Sequence, residues 1–288
     1  MKLSVTTYSF SDYIKEKKPA SYLEICDKAK EMGFDGIEFI DLYSEKWGFT
    51  DNPHDMARQI REHCASIDLD IVAYAVGANF LCDDIDAEIA RVKECVDIAS
   101  ELGAPVMRHD IARAPRDLPN YDYRSAIEEV APIVKEITNY AKSKGVKTCT
   151  ENHGFFFQRP ETIEELILAV NDENYGWLCD FGNFLCADAD PLTSVAISAP
   201  YTMHAHAKDF LFKSATEIKP VGFPIKTTGG NYIRGTVIGH GIVPVASCIK
   251  ALEKVGYDGF ITVEFEGPEE CIGGINNGLQ YLKALLNN

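Results

Sequence analysis

The sequence predicts a (β/α)₈ barrel, and three observations carry the prediction. Short β-rich runs, each ending in polar residues, alternate with segments of helical spacing, which is the pattern of a parallel sheet. There are about eight of each kind, more than the five or six strands usual in an open doubly wound sheet, and no G-x-G-x-x-G turn follows the first run. The length of 288 residues is close to the roughly 250 typical of such a barrel. One domain spanning 1–288 is therefore expected.

The first strand reads from Leu3 to Tyr8, followed by a helix from about Pro19 to Met32, with Pro tolerated in the first turn and Gly33 as the stop. Ile37 to Ile40 is the second strand. The next helix opens at Asn52-Pro53 and carries Met56, Ile60, Cys64 and Ile67 at spacings of three and four, before a third strand from Asp70 to Val76. Ile85, Ile89, Val92, Val96 and Ala99 mark a helix ended by Gly103, and Pro105 to His109 is a fourth strand whose Pro is acceptable at its start. A long helix from Ile127 to Lys144 stops at Gly145. Lys147 to Glu151, Gly176 to Asp180 and Tyr201 to His206 read as the next strands, with helices near Thr162 to Val170 and Leu192 to Ile197, and Phe260 to Phe265 is the last strand. The runs Gly33-Phe34-Asp35-Gly36-Ile37 and Gly256-Tyr257-Asp258-Gly259-Phe260 echo one another as helix stops leading into strands. One connection breaks the rhythm. Residues 208–241 are of mixed polarity, with Pro220, Gly222, Pro224, Gly229 and Gly230, and read as a long functional loop after the seventh strand.

Composition narrows the partners. Against 28 Lys and Arg stand 44 Asp and Glu, a net charge of −16, which opposes binding to nucleic acid or to an anionic membrane surface. The first residues lack the apolar run of a signal peptide and no apolar stretch is long enough to span a bilayer, so a cytoplasmic protein is expected. Nine cysteines without a C-x-x-C pair read as reduced thiols packed as small hydrophobes.

In a (β/α)₈ barrel the reactive groups gather where the strands end. Four consecutive strands end in Thr150-Glu151-Asn152-His153, Cys179-Asp180-Phe181, His204-Ala205-His206 and Val263-Glu264-Phe265. Three carboxylates sharing one rim would raise one another's pKa unless a cation neutralised them. One divalent metal ion held by Glu151, Asp180, His206 and Glu264 is therefore expected. Oxygen donors with one imidazole suit Mn²⁺, Mg²⁺ or Co²⁺, with Zn²⁺ also compatible. His204, two residues before His206, shares its face but lies deeper, where packing is its expected role.

On these residues the chain resembles the sugar isomerase and epimerase superfamily of xylose isomerase-like TIM barrels, in particular the ketose 3-epimerases and sugar phosphate isomerases. The phrases Glu151-Asn152-His153, His206-Ala207-Lys208-Asp209, Gly256-Tyr257-Asp258-Gly259 and Gly239-His240-Gly241, the last opening the seventh helix, are similar to that family. The resemblance implies that Glu151 and Glu264 ligate the metal and also move protons beside a carbonyl. It also implies that Arg234 contacts substrate oxygens, while Asn183 stands where the ketose epimerases often have a His. Glu38, His109 and His153 complete the substrate-binding candidates, Glu38 also as a carboxylate that orients a ligand.

The leading expectation is a metal-dependent isomerase or epimerase of a sugar or sugar phosphate. Three alternatives stand beside it. A dehydratase of the inosose or dehydroshikimate type would use the same proton abstraction and then expel a hydroxyl. A non-catalytic sugar-binding barrel would keep the fold without turnover, and the apurinic endonuclease branch is disfavoured by Asn183 and by the acidic charge. Barrels of this kind often pair, which leaves a homo-oligomer open.

Overall fold

The computed structural model describes residues 1–17, 19, 21–42 and 52–287. Eight parallel strands close a barrel: β1 (Lys2–Thr6), β2 (Gly36–Ile40), β3 (Asp70–Val76), β4 (Val106–His109), β5 (Lys147–Glu151), β6 (Tyr175–Asp180), β7 (Thr202–Ala207) and, after an excursion, β11 (Phe260–Val263). Chain order is kept around the wall, and β11 pairs with both β7 and β1. The helices are α1 (Ser11–Lys17), α2 (Tyr22–Met32), α3 (Pro53–Ser66), α4 (Ile85–Leu102), α5 (Tyr123–Ser143), α6 (Pro160–Val170), α7 (Pro191–Ser198), α8 (Val245–Lys254) and α9 (Cys271–Leu286).

Their ends follow local chemistry. Asn52 caps α3 by accepting from the amides of His54 and Asp55, and Gly33 and Gly103 end α2 and α4 in the left-handed conformation. Three helix expectations need adjustment. The helix placed at about Pro19 begins at Tyr22 with Ser21 as its cap, and Ala20 lies outside the described residues. The long fifth helix starts four residues early, because the Asp122 carboxylate accepts from Arg124 and Ser125 and provides a cap upstream of Ile127. Gly239-His240-Gly241 does not open a helix, since α8 begins at Val245.

Strand alternation divides the interior in two. Val5, Ile37, Phe39, Tyr74 and Trp177 point outward and pack with Ile25, Ile60, Val96, Val134, Leu166 and Leu279 of the helices in the main core. Inward, a smaller apolar cluster of Val106, Cys149 and Leu178 sits apart from that core. Two residues further along the same three strands stand Arg108, Glu151 and Asp180, so on this side of the barrel the floor is apolar and the upper layer charged, while Ser4, His204 and Thr262 form a buried polar group across from it.

The segment 208–241 is not a plain loop. It folds in part into an antiparallel sheet of β8 (Asp209–Lys213), β9 (Ile225–Lys226) and β10 (Tyr232–Thr236), with β10 in the middle. Gly235 lies where a Cβ would overlap the carbonyl oxygen of Glu266, so only glycine lets β10 approach the end of the barrel. Asp188 accepts from Thr227 at 2.7 Å and Asn231 at 2.6 Å and ties the far turn down.

Asp209 closes the near end. Its carboxylate accepts from the amides of Phe210, Gly239, Gly241 and Val243 at 2.8 to 3.0 Å. Asp209→Ala should strand these donors and cost about 2–4 kcal/mol. In urea the unfolding midpoint should fall at constant slope, with a smaller loss for Asp209→Asn, which keeps one acceptor.

Candidate metal centre and active site

The four expected ligands converge. One ligand atom each from Glu151, Asp180, His206 and Glu264 lies within 4.8 Å of the others. They come from the ends of β5, β6, β7 and β11, four neighbours around the wall. Glu151 and Asp180 are the last residues of their strands, whereas β11 stops at Val263, so Glu264 is the first residue beyond it. The Glu264 amide N–H donates a hydrogen bond to the Ala207 carbonyl at 3.0 Å, which continues the pairing and holds it.

Each candidate ligand is braced from behind. Asp180 Oδ1 accepts from the amides of Gly182 and Asn183 at 2.8 and 2.7 Å, while Oδ2 is buried without a hydrogen bond. Glu151 accepts from Asn183 Nδ2 at 2.9 Å and pairs with Arg108 Nη2 at 2.7 Å. Asn152 donates to the Asp180 carbonyl and accepts from the Asp180 amide and the Trp177 indole, locking β5 to β6 behind the site. His206 Nε2 lies 2.9 Å from Glu38 Oε2, and its Nδ1 lies 2.9 Å from Glu264. That leaves Nδ1 on the side of the carboxylate cluster, with the other ring nitrogen anchored to a carboxylate as in metal-binding histidines. His204 Nε2 also reaches Glu38, at 3.0 Å, and Thr262 at 2.9 Å, which places it one layer deeper.

The charges are strongly coupled. Burial, with Glu264 and Glu151 adding to it against Lys208, pushes Asp180 well above the usual carboxylate range. Burial acts to raise Glu264 too, but Lys208 and His206 outweigh it and hold it well below. Burial likewise acts to lower His206, but Glu38 and Glu264 outweigh it and raise the imidazole. A carboxyl that resists ionisation, with a buried oxygen that accepts no hydrogen bond and two further carboxylates beside it, fits a divalent cation. The donor set of three carboxylates and one imidazole fits the same conclusion.

A cavity of about 440 Å³ opens above the cluster. Glu38, His153, Asn183, His206 and Glu264 line it, as do Arg108, Lys208, Tyr8 and Glu266, which sequence reasoning did not select. Lys208 Nζ is 3.1 Å from Glu264, 3.2 Å from Glu266 and 3.3 Å from Asn183. Its signal was present: it lies two residues after His206 and so continues that face.

Two candidates do not reach the cavity. Arg234 sits on β10, its guanidinium 5.6 Å from the Phe223 ring and 3.7 Å from Glu269. His109 faces outward and is fully buried between the rings of Phe80 and Tyr175, because Arg108 takes the inward position on β4. Burial pulls the His109 imidazole down to about 4, so the unfolded chain binds a proton there that the folded chain refuses. His109 should therefore cost stability as pH falls below about 6.5, levelling off near pH 4, by up to about 3 kcal/mol. Replacing His109 with Phe should flatten the urea-unfolding profile across that window.

An eight-stranded parallel barrel that gathers three carboxylates and an imidazole at its strand ends defines the class of molecule. The chain belongs to the xylose isomerase-like TIM barrel family, whose model matches residues 26–285. It is 29% identical over 145 residues to inosose dehydratase of Yersinia enterocolitica, covering 48% of this chain and 47% of that protein, so the match spans about half of the relative's length. Two solved structures share the fold. The IOLI protein with a bound zinc atom has a TM-score of 0.76 at 17% identity, covering 100% of this chain and 98% of that one. The probable 3-DHS dehydratase AsbF of Bacillus anthracis has 0.73 at 20% identity, covering 98% and 99%. No helix among the described residues is long and apolar enough to cross a membrane.

Proposed function

We infer that this chain is a metal-dependent enzyme that removes a proton beside the carbonyl of a polyhydroxylated ketone and then expels a neighbouring hydroxyl as water. The single observation carrying this reading is the convergence of Glu151, Asp180, His206 and Glu264 beneath a cavity of substrate size. Those four residues would hold the ion, Mn²⁺ being among those expected above. When bound it would supply positive charge to oxygens of the substrate and so stabilise the enediolate.

The protein groups do the rest. Glu151 and Glu264, on the outer two of the four strands, are the acid–base pair: one carboxylate takes the proton from carbon, and the other, in its acid form, gives a proton to the neighbouring hydroxyl, whose C–O bond breaks to release water as the C=C bond forms. Arg108 and Asn183 orient the Glu151 carboxylate, and Lys208 does the same for Glu264 while presenting an ammonium to the cavity. Glu38 fixes the His206 ring. His153 and Asn183 line the cavity as substrate contacts.

Dehydration stands ahead of isomerisation because the match to an inosose dehydratase supports it. Asn183, standing where the ketose epimerases often have a His, is a departure from that branch and bears on which substrate is chosen. Isomerisation or epimerisation remains the second reading, favoured by the two carboxylates, which can serve two faces of one carbon. The test is incubation with Mn²⁺ and an inosose in deuterium oxide. Deuterium beside the carbonyl together with a product lighter by one water is expected. A product of unchanged mass would support the second reading, and no exchange at all would remove both.

A further inference from the structure

We propose that the substrate of this site is uncharged, a polyhydroxy ketone with neither phosphate nor carboxylate; the proposal rests on the enolising reading above. Around the cavity and the candidate metal centre stand six carboxylates, Glu38, Asp41, Glu151, Asp180, Glu264 and Glu266, against the two cations Arg108 and Lys208 and the imidazoles of His153 and His206 among the described residues, His206 counting as a neutral ligand once an ion is held. A bound divalent ion still leaves the negative charge in excess.

Neither cation is spare. Arg108 is held by Glu151 at 2.7 Å and Asp110 at 3.1 Å, and Lys208 by Glu264 and Glu266 at 3.1 and 3.2 Å. Turning either toward an anionic ligand would strand a carboxylate, and Glu151 is itself buried. Lys213, Lys219 and Lys226 of the excursion are not among the residues that line the cavity, to which that segment contributes Phe210 and Ile225 besides Lys208 itself.

A second observation is independent of the metal centre. Phosphate-binding (β/α)₈ barrels hold the anion in the loops after the last two strands, at a helix N-terminus. Here the loop after β11 carries Glu266, Glu269 and Glu270. The Glu270 carboxylate already accepts from the Ile272 and Gly273 amides at 3.1 and 2.6 Å, so α9 begins with its own anion in place. Carboxylates only accept hydrogen bonds, so such a wall is matched by a ligand rich in hydroxyl donors.

The test is calorimetric titration of the full-length chain loaded with Mn²⁺, using an inosose, 3-dehydroshikimate and fructose 6-phosphate as probes. The inosose should bind at least tenfold more tightly than either anion. In Glu266→Gln the gap should narrow several-fold through a gain for the anions. An anion binding as well as the inosose, or a ratio unchanged in Glu266→Gln, would overturn the proposal. Failure of the enolising reading looks different: the inosose would bind with the predicted selectivity yet exchange no hydrogen with solvent. Water loss from an anionic probe would uphold that reading and overturn this one.

Discussion

Glu151→Gln and Glu264→Gln should each lower kcat by about 10²- to 10⁴-fold, the usual contribution of a positioned acid or base, while the chain stays folded. The amide keeps the shape of the side chain. In Glu151→Gln it retains an oxygen able to accept from Asn183 Nδ2, as Glu151 does at 2.9 Å, but it cannot take a proton from carbon. Loss of the charge also releases Arg108, now 2.7 Å from the carboxylate, so some loss of binding should accompany the loss of rate. In Glu264→Gln the ammonium of Lys208 keeps Glu266 as partner. Circular dichroism and urea melts would check the fold, and deuterium uptake beside the carbonyl would read the proton transfer alone. Uptake at the unaltered rate in both variants would remove these residues from the mechanism.

Metal binding should stabilise the protein, and Asp180→Asn should abolish that gain without harming the metal-free chain. Asp180 is buried among carboxylates and resists ionisation, so a neutral amide stands in for its protonated form. Its Oδ1 bonds to the amides of Gly182 and Asn183 can be kept by the amide oxygen. With Mn²⁺ at a hundredfold excess over its Kd, the stripped protein should gain about 2.7 kcal/mol, a rise in Tm of about 4–5 °C. The Asn variant should melt at or above the metal-free parent and show no rise. A full shift in Asp180→Asn would place the ion elsewhere.

The elements that were legible in the sequence had strong local signals. The third strand, Asp70–Val76, and the helix Ile85–Leu102 begin and end where apolar spacing and the Gly103 stop put them. Helix α1, Ser11–Lys17, was not anticipated: among its seven residues only Ile14 is buried, so no apolar period announces it. The sheet of β8, β9 and β10 was equally hidden, because its pairing depends on the length of the excursion and on glycine at 235 rather than on alternation.

At the site, sequence alone determined which strand ends carry Glu, Asp, His and Glu, since each stands where a β-rich run stops. Parity was another matter. Parallel barrel strands are covered on both faces, so polarity does not alternate along them, and Arg108 and His109 look equivalent until the register of β4 with β3 and β5 turns one inward and the other outward. The same holds for Arg234, whose distance from the metal ligands in sequence says nothing of where β10 lies. Only the closed barrel brought Glu38 to His206 across 168 positions and seated Lys208 among the carboxylates. Residue type and local spacing are written in the chain, whereas the direction in which each side chain points is set by neighbours that meet it only after the sheet has closed.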